Sequence, residues 1–278
     1  MIEKEIQFRK KREVGEIVTD SFKFLQQEYK PVLKLVLIYV LPFMLLYAFV
    51  QVQIQQKLLV GFDFTDTEKL MENFGPIYKN LLMSGIFSLF VQSLLAATFY
   101  SYVEAYIKNG KGNFTLADIT PLLFSNGLIA LKANILLFVI VVIGLFLCFV
   151  PGIYFANTLS IVVIVNMFER KGTANAFLRT AFLVNSQWWN TLLLNLLAII
   201  IIWSASFIVS IPAMFSGVSV NLFGSEAVNT DQLPIWYWAL SGLSSVISSI
   251  LWIIAYTFWA FQYFNLDERM KAKFPPAA

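Results

Sequence analysis

Histidine is absent from all 278 residues, cysteine occurs once, and charged residues make up only 13% of the chain. Each scarcity closes a class of chemistry. Without histidine there is no imidazole general base, no Ser-His or Cys-His nucleophile pair and none of the common zinc sites. The lone Cys148 permits no intrachain disulfide, and its place inside an apolar run gives it the part of a small buried side chain. The sparse basic residues flank apolar runs and form no stripe across a folded domain, so nucleic acid is not expected as a partner.

What is present in excess is hydrocarbon. Hydrophobic residues make up 58% of the chain and aromatics 16%, against roughly 45–50% apolar in soluble domains. With a mean hydropathy of +0.71, such a chain cannot hide its apolar surface in one soluble core. The fold class predicted is an all-α polytopic membrane protein. Residues 1–31 carry Lys4, Arg9, Lys10, Lys11, Arg12, Lys23 and Lys30 but no continuous apolar stretch, so no cleaved leader is expected.

Six transmembrane helices are predicted: about Val32 to Gln51, Leu81 to Tyr102, Ala133 to Val150, Ile153 to Phe168, Trp188 to Phe207 or Ile211, and Ile235 to Phe261. Pro42 removes a backbone donor inside the first and should kink it. Pro151-Gly152 alone joins the third and fourth, a connection short enough only for a tight helical hairpin. Residues 51–80 read as a loop of mixed charge, Lys57, Lys69 and Lys79 against Asp63, Asp66, Glu68 and Glu72, with room for one helix.

About three interfacial amphipathic helices precede the spans. The first is marked by Val14, Ile17, Val18, Phe22 and Leu25, the second is a short broken helix over Leu116 to Ala130, and the third by Ala174, Phe177, Leu178, Ala181 and Phe182. The order helix, span, span therefore occurs three times, which predicts three repeated units. The domain division is 1–31, a cytosolic N-terminal segment; 32–265, a six-span membrane domain; and 266–278, a cytosolic C-terminal tail.

Among the 20 basic residues only Lys57, Lys69 and Lys79 fall in odd-numbered loops. The positive-inside rule then places both termini in the cytosol. Polar residues within the spans are amides and hydroxyls: Gln92, Asn134, Asn157 and Asn166, and Ser241, Ser245 and Ser249 at intervals of four beside Gly242, Ser244 and Ser248. Each is expected to bond a neighbouring helix; the serine face also admits a serine-lined pathway as a sharper reading. Arg170, Lys171 and Arg179, with Trp188 and Trp189 at the interface, are candidates for lipid-headgroup contacts. No residue stands out as catalytic, metal-ligating or cofactor-binding.

The series Val150-Pro151-Gly152-Ile153-Tyr154, Glu169-Arg170-Lys171-Gly172, Ala174 to Ala176, Arg179-Thr180, Leu183-Val184 and Trp188-Trp189 resembles the membrane domain attached to some bacterial glycerophosphoryl diester phosphodiesterases and its related stand-alone multi-pass proteins. The family tends to carry a Tyr-x-Asp-x-x-Arg-like motif near its end. Tyr263-Phe264-Asn265-Leu266-Asp267-Glu268-Arg269 is similar, with asparagine in the place of the first acid. The resemblance implies a multi-pass protein of the bacterial cytoplasmic membrane. It does not carry the phosphodiesterase activity, which sits in a soluble barrel with catalytic histidines. The expected function is a non-enzymatic structural, assembly or lipid-associated module whose partners are membrane lipids; a protein partner or homo-oligomer stays open. The alternative is a transporter or channel for a lipid-like or small neutral solute.

Overall fold

The computed structural model describes residues 5–61, 67–223 and 233–274. Nine helices make up its regular structure among the described residues: α1 Val14–Tyr39, α2 Leu41–Gly61, α3 Thr67–Asn109, α4 Leu116–Leu147, α5 Phe149–Thr158, α6 Val162–Glu169, α7 Thr173–Asn185, α8 Trp188–Phe223 and α9 Ile235–Lys273. Among the described residues, five stretches are long and apolar enough to cross a membrane, and six if the bent α1–α2 pair counts as one span. The all-α membrane architecture is therefore present.

Several boundaries differ from the expectation. The first amphipathic helix is not separate from the first span, because α1 runs unbroken through Pro31 to Tyr39. Its buried face is Ile17, Ser21, Phe24, Glu28, Val32, Leu35 and Val36, whereas Phe22, which the spacing placed on that face, is exposed. The chain then bends by 63° between α1 and α2. The amides of Phe43 and Met44 both bond the Val40 carbonyl, and Pro42 has no N–H to offer the Ile38 carbonyl one turn back. The kink expected at Pro42 is thus found.

The loop expected over 51–80 is largely helical, with α2 reaching Gly61 and α3 beginning at Thr67. Asp63, Asp66, Glu226 and Asp231 lie outside the described residues. No break separates the expected 116–130 helix from its span. Thr115 caps α4, donating its N–H to Asp118 Oδ2 at 2.7 Å, and the helix continues through Pro121 and Gly127 to Leu147. Of the three interfacial helices only α7 stands alone, so the three units of the expected repeat are not alike. Pro212 does not end α8, which runs to Phe223, and residues 266–273 continue α9.

The α4–α5 hairpin is tight, as the short connection required, but its corner is Cys148, the one non-helical residue between the two helices. Pro151 and Gly152 sit inside the first turn of α5, where a missing N–H costs nothing. A Cβ on Gly152 would lie 2.4 Å from Leu145 Cδ2, so only glycine permits this approach of the two helices. A second break, at Leu159–Ile161, separates α5 from α6. Arg170 then closes α6 in the left-handed region at φ 51°, its N–H bonding the Asn166 carbonyl, and Gly172 at φ 89° turns the chain into α7.

The chain packs as two units. The first holds Met1–Tyr39, Ser93–Ile201 and Trp252–Ala278. Its core is aromatic: Phe8 stacks on Phe261 at 4.4 Å and meets Phe24, Tyr106 and Phe264 edge-on. The second holds Val40–Gln92 and Ile202–Leu251. There Phe43 packs on Phe90 and Tyr47 on Phe87, and Gly242 of α9 faces Ala48 and Val52 of α2.

Candidate functional site

The second unit contains a cavity of about 520 Å³ lined by Gln55, Ser210, Met214, Tyr237 and the α9 serines Ser241, Ser244, Ser245 and Ser248. A helix brings residues three and four apart onto one side, so the spacing of these serines turns their hydroxyls into one strip. Gln55 reaches it from α2, accepting the Ser241 hydroxyl at 3.0 Å, and Ser244 donates to the Val209 carbonyl at 3.1 Å. Among the described residues, no charged side chain lines the space. From Tyr237 to Ser248 the strip is about 16 Å long, half the thickness of a hydrocarbon core. Tyr237 and its neighbours Trp236 and Trp238 stand at the end where α9 begins, an aromatic cluster suited to headgroup level.

Hydroxyls and a carboxamide donate and accept hydrogen bonds without charge. They suit an uncharged molecule that carries its own hydroxyl, carbonyl or amide groups. The lining offers no base to take a proton from a serine, the requirement for a serine nucleophile. Of the serines singled out in the sequence, Ser241 and Ser245 line the cavity, while Ser249 turns away to donate to the Ser245 carbonyl at 2.9 Å. Gln55, Ser210 and Tyr237 were missed. The sequence carried no sign of Gln55, because its helix reads as the start of a polar loop.

Among the described residues, the ion pairs between helices lie in the first unit. Arg170 donates to both oxygens of Glu104, at 3.1 and 3.3 Å, and lies 3.4 Å from Asn126 Oδ1. Arg179 joins Glu169 at 3.0 Å to Asp267 at 2.9 Å, and Lys271 and Arg9 add to Asp267 at 2.6 and 3.8 Å. All three expected headgroup cations therefore pair with carboxylates of the chain itself, Lys171 at the longest distance. Lys171 projects outward beside Glu169 at 3.7 Å, and Trp189 is 75% exposed, so these two remain available to an interface. Trp188 faces inward, donating Nε1–H to the Thr158 hydroxyl at 3.0 Å and stacking on Tyr154.

The expected interhelical amides are partnered in this unit. Asn134 donates to Ser93 at 2.9 Å, Asn166 to Thr173 at 3.2 Å and Asn157 to the Trp188 carbonyl at 3.2 Å. Asn195 donates to Asn157 and accepts from Trp259, which extends this into a three-helix chain of hydrogen bonds. Gln92 is partnered as well. The Tyr263–Arg269 motif proves structural: Asn265 Oδ1 accepts the Arg12 amide at 2.8 Å and Arg269 Nε at 3.0 Å, and Arg269 also donates to the Arg12 carbonyl at 2.8 Å. An acceptor oxygen is what this place requires, and asparagine supplies it. A smaller crevice of about 430 Å³ lies beside Glu28, which accepts the Tyr102 hydroxyl at 2.5 Å and pairs with Lys111 at 3.4 Å.

Comparison of the chain with family models, with curated proteins and with solved structures finds no match in any of the three.

Proposed function

We propose that this chain is a non-enzymatic, lipid-associated protein of the bacterial cytoplasmic membrane, with both termini in the cytosol, that holds an uncharged amphiphile in the serine cavity. One observation carries the reading: a space of a size suited to ligand sites of about 300–1,000 Å³ is lined by hydroxyls, an amide and the apolar Ala213 and Met214, and among the described residues by no ionisable group but the Tyr237 phenol. The distribution of lysine and arginine supports the orientation. The absence of histidine and the neutral lining support binding over catalysis. The family proposed for the chain is the membrane domain of the glycerophosphoryl diester phosphodiesterase-like proteins, on the residues Val150 to Trp189.

Native mass spectrometry of the detergent-purified protein, with stepwise delipidation, tests the reading. The expected result is one retained adduct of defined mass, lost in Gln55→Leu and Ser244→Val. A bare chain, or an adduct unaffected by both substitutions, overturns it. The transporter alternative draws on the same cavity and is separated by reconstitution: a carrier exchanges the identified molecule across the vesicle wall, whereas a binding module only retains it.

A further inference from the structure

Between Lys132 and Glu169 no residue is charged, and the α4–α5 corner lies in the middle of that stretch. We infer that this hairpin is re-entrant: it enters the bilayer, turns at Cys148 among the acyl chains, and returns to the side it came from. Neither α4 nor α5–α6 then crosses the membrane. The inference is independent of the serine cavity.

Depth is the first support. The far end of α5 is pinned to Trp188, through Trp188 Nε1 on Thr158 at 3.0 Å and Asn157 on the Trp188 carbonyl at 3.2 Å. With Trp188-Trp189 at headgroup level, the ten residues of α5 carry the corner only about 15 Å inward. That is half of a hydrocarbon core of roughly 30 Å. On the other arm, Lys132 stands about 22 Å of helix from Leu147, again short of a crossing.

The surface of the corner is the second. Phe146 is 88% exposed, Leu147 75%, Phe149 70% and Val150 71%, and no polar side chain lies among them. A loop emerging into water on the far side would present this cluster to water. Acyl chains are the occupant whose chemistry matches it. The third support is the backbone. Non-helical backbone is not tolerated in lipid unless its polar groups are bonded, and here only Cys148 is non-helical. Its N–H donates to the Gly144 carbonyl at 3.0 Å and its carbonyl accepts the Gly152 N–H at 3.4 Å. Pro151 removes one of the donors that the start of α5 would otherwise leave bare.

The return arm differs from a lipid-bathed span. Of the apolar window in Phe149–Glu169, 61% is buried inside the protein, against 17% for the windows of α4 and of Trp188–Phe215. Val162 to Met167 of α6 are all buried by protein. Removing two crossings leaves the α1–α2 pair, α3, α8 and α9, an even number. Both termini stay on one side, and the distribution of basic residues is satisfied as before.

Cys148 is the only cysteine, so the unaltered chain reports on its own corner. In vesicles of either orientation, a membrane-impermeant charged maleimide is expected to leave Cys148 unlabelled from both sides and to label it fully once detergent dissolves the membrane. In a Cys148→Ser background, Asn113→Cys and Lys79→Cys serve as reporters for the two faces. Labelling of Cys148 from the face that exposes the Lys79→Cys thiol overturns the inference in favour of two full spans. Labelling from the Asn113→Cys face overturns it in favour of a hairpin outside the bilayer. A nitroxide attached to Cys148 in detergent and reconstituted removes dependence on thiol reactivity. Collisions with oxygen far exceeding those with a nickel chelate are expected, and nickel access equal to that of a nitroxide at Asn113→Cys refutes insertion.

Discussion

The two packing units solve one problem with two chemistries. In the first, polar atoms are satisfied by charge: Arg170 on Glu104, Arg179 between Glu169 and Asp267, Arg12 on Asp20 at 2.8 Å. In the second, the hydrogen bonds of described side chains have neutral partners. Gln51 donates to Ser84, Ser241 to Gln55 and Ser244 to a backbone carbonyl. A paired ion still requires a polar surrounding to offset its desolvation, whereas a hydroxyl can be satisfied by one neighbour wherever it lies. The contrast is one of pairing: carboxylate with guanidinium or ammonium in the first unit, hydroxyl and amide with neutral acceptors in the described part of the second.

The largest effect is expected from forcing the chemistry of the first unit onto the second. Ser245→Asp, which puts a carboxylate into the neutral strip, should cost about 3 kcal/mol at pH 7, as charged residues do in mid-bilayer. Thermal unfolding in detergent at pH 7 and at pH 4 reads this, with part of the loss recovered at pH 4 as the carboxylate protonates; an unchanged melting temperature at both breaks the contrast. The reverse exchange, Arg179→Leu, removes the cation shared by Glu169 and Asp267. It should cost about 2 kcal/mol, less than for a fully buried pair because Arg179 keeps partial exposure and both carboxylates retain a lysine. A double-mutant cycle with Asp267→Leu isolates the coupling.

Within the second unit, Ser241→Ala deletes one neutral bond and should cost about 0.6 kcal/mol, the average for hydroxyl and amide contacts between membrane helices. Its melting temperature should not vary with salt. Smallest is Lys171→Gln, expected within about 0.5 kcal/mol of the parent, since its pair with Glu169 is exposed and long. Retention of anionic lipid by this variant, measured beside the parent, should fall with little loss of stability.

Much of this was legible in the sequence because hydropathy reports solvent. The apolar spans, the kink at Pro42, the α7 helix and the turn at Glu169 to Gly172 all follow from local patterns. Helix ends did not, because a helix stops where its hydrogen bonds stop and not where the membrane does. α9 runs on to Lys273 because Phe261, Phe264 and Leu266 are buried in a core beyond its apolar run. The partners of polar residues were likewise hidden. That Asn134 and Asn157 need a neighbour can be said from their type; that it is Ser93 for one and the Trp188 carbonyl for the other depends on packing 41 and 31 residues away. Gln55 gave no signal, since a glutamine in a polar stretch looks the same whether it faces water or a cavity.

Phe8 lies among Phe24, Tyr106, Phe261 and Phe264, and the backbone at Arg12 is fastened at both its amide and its carbonyl to side chains of Asn265 and Arg269. The backbone at Arg12 is thus held by residues made more than 250 positions later. During synthesis the helices between them emerge and partition into the bilayer while this strap has nowhere to bind. Phe8 is translated before every aromatic it meets, so it is buried only after Phe261 and Phe264 have followed. Closure across such a separation is slow for entropic reasons, so a ribosome-bound chain stalled before residue 265 should leave residues 5–12 open to protease, and release of the full chain should protect them.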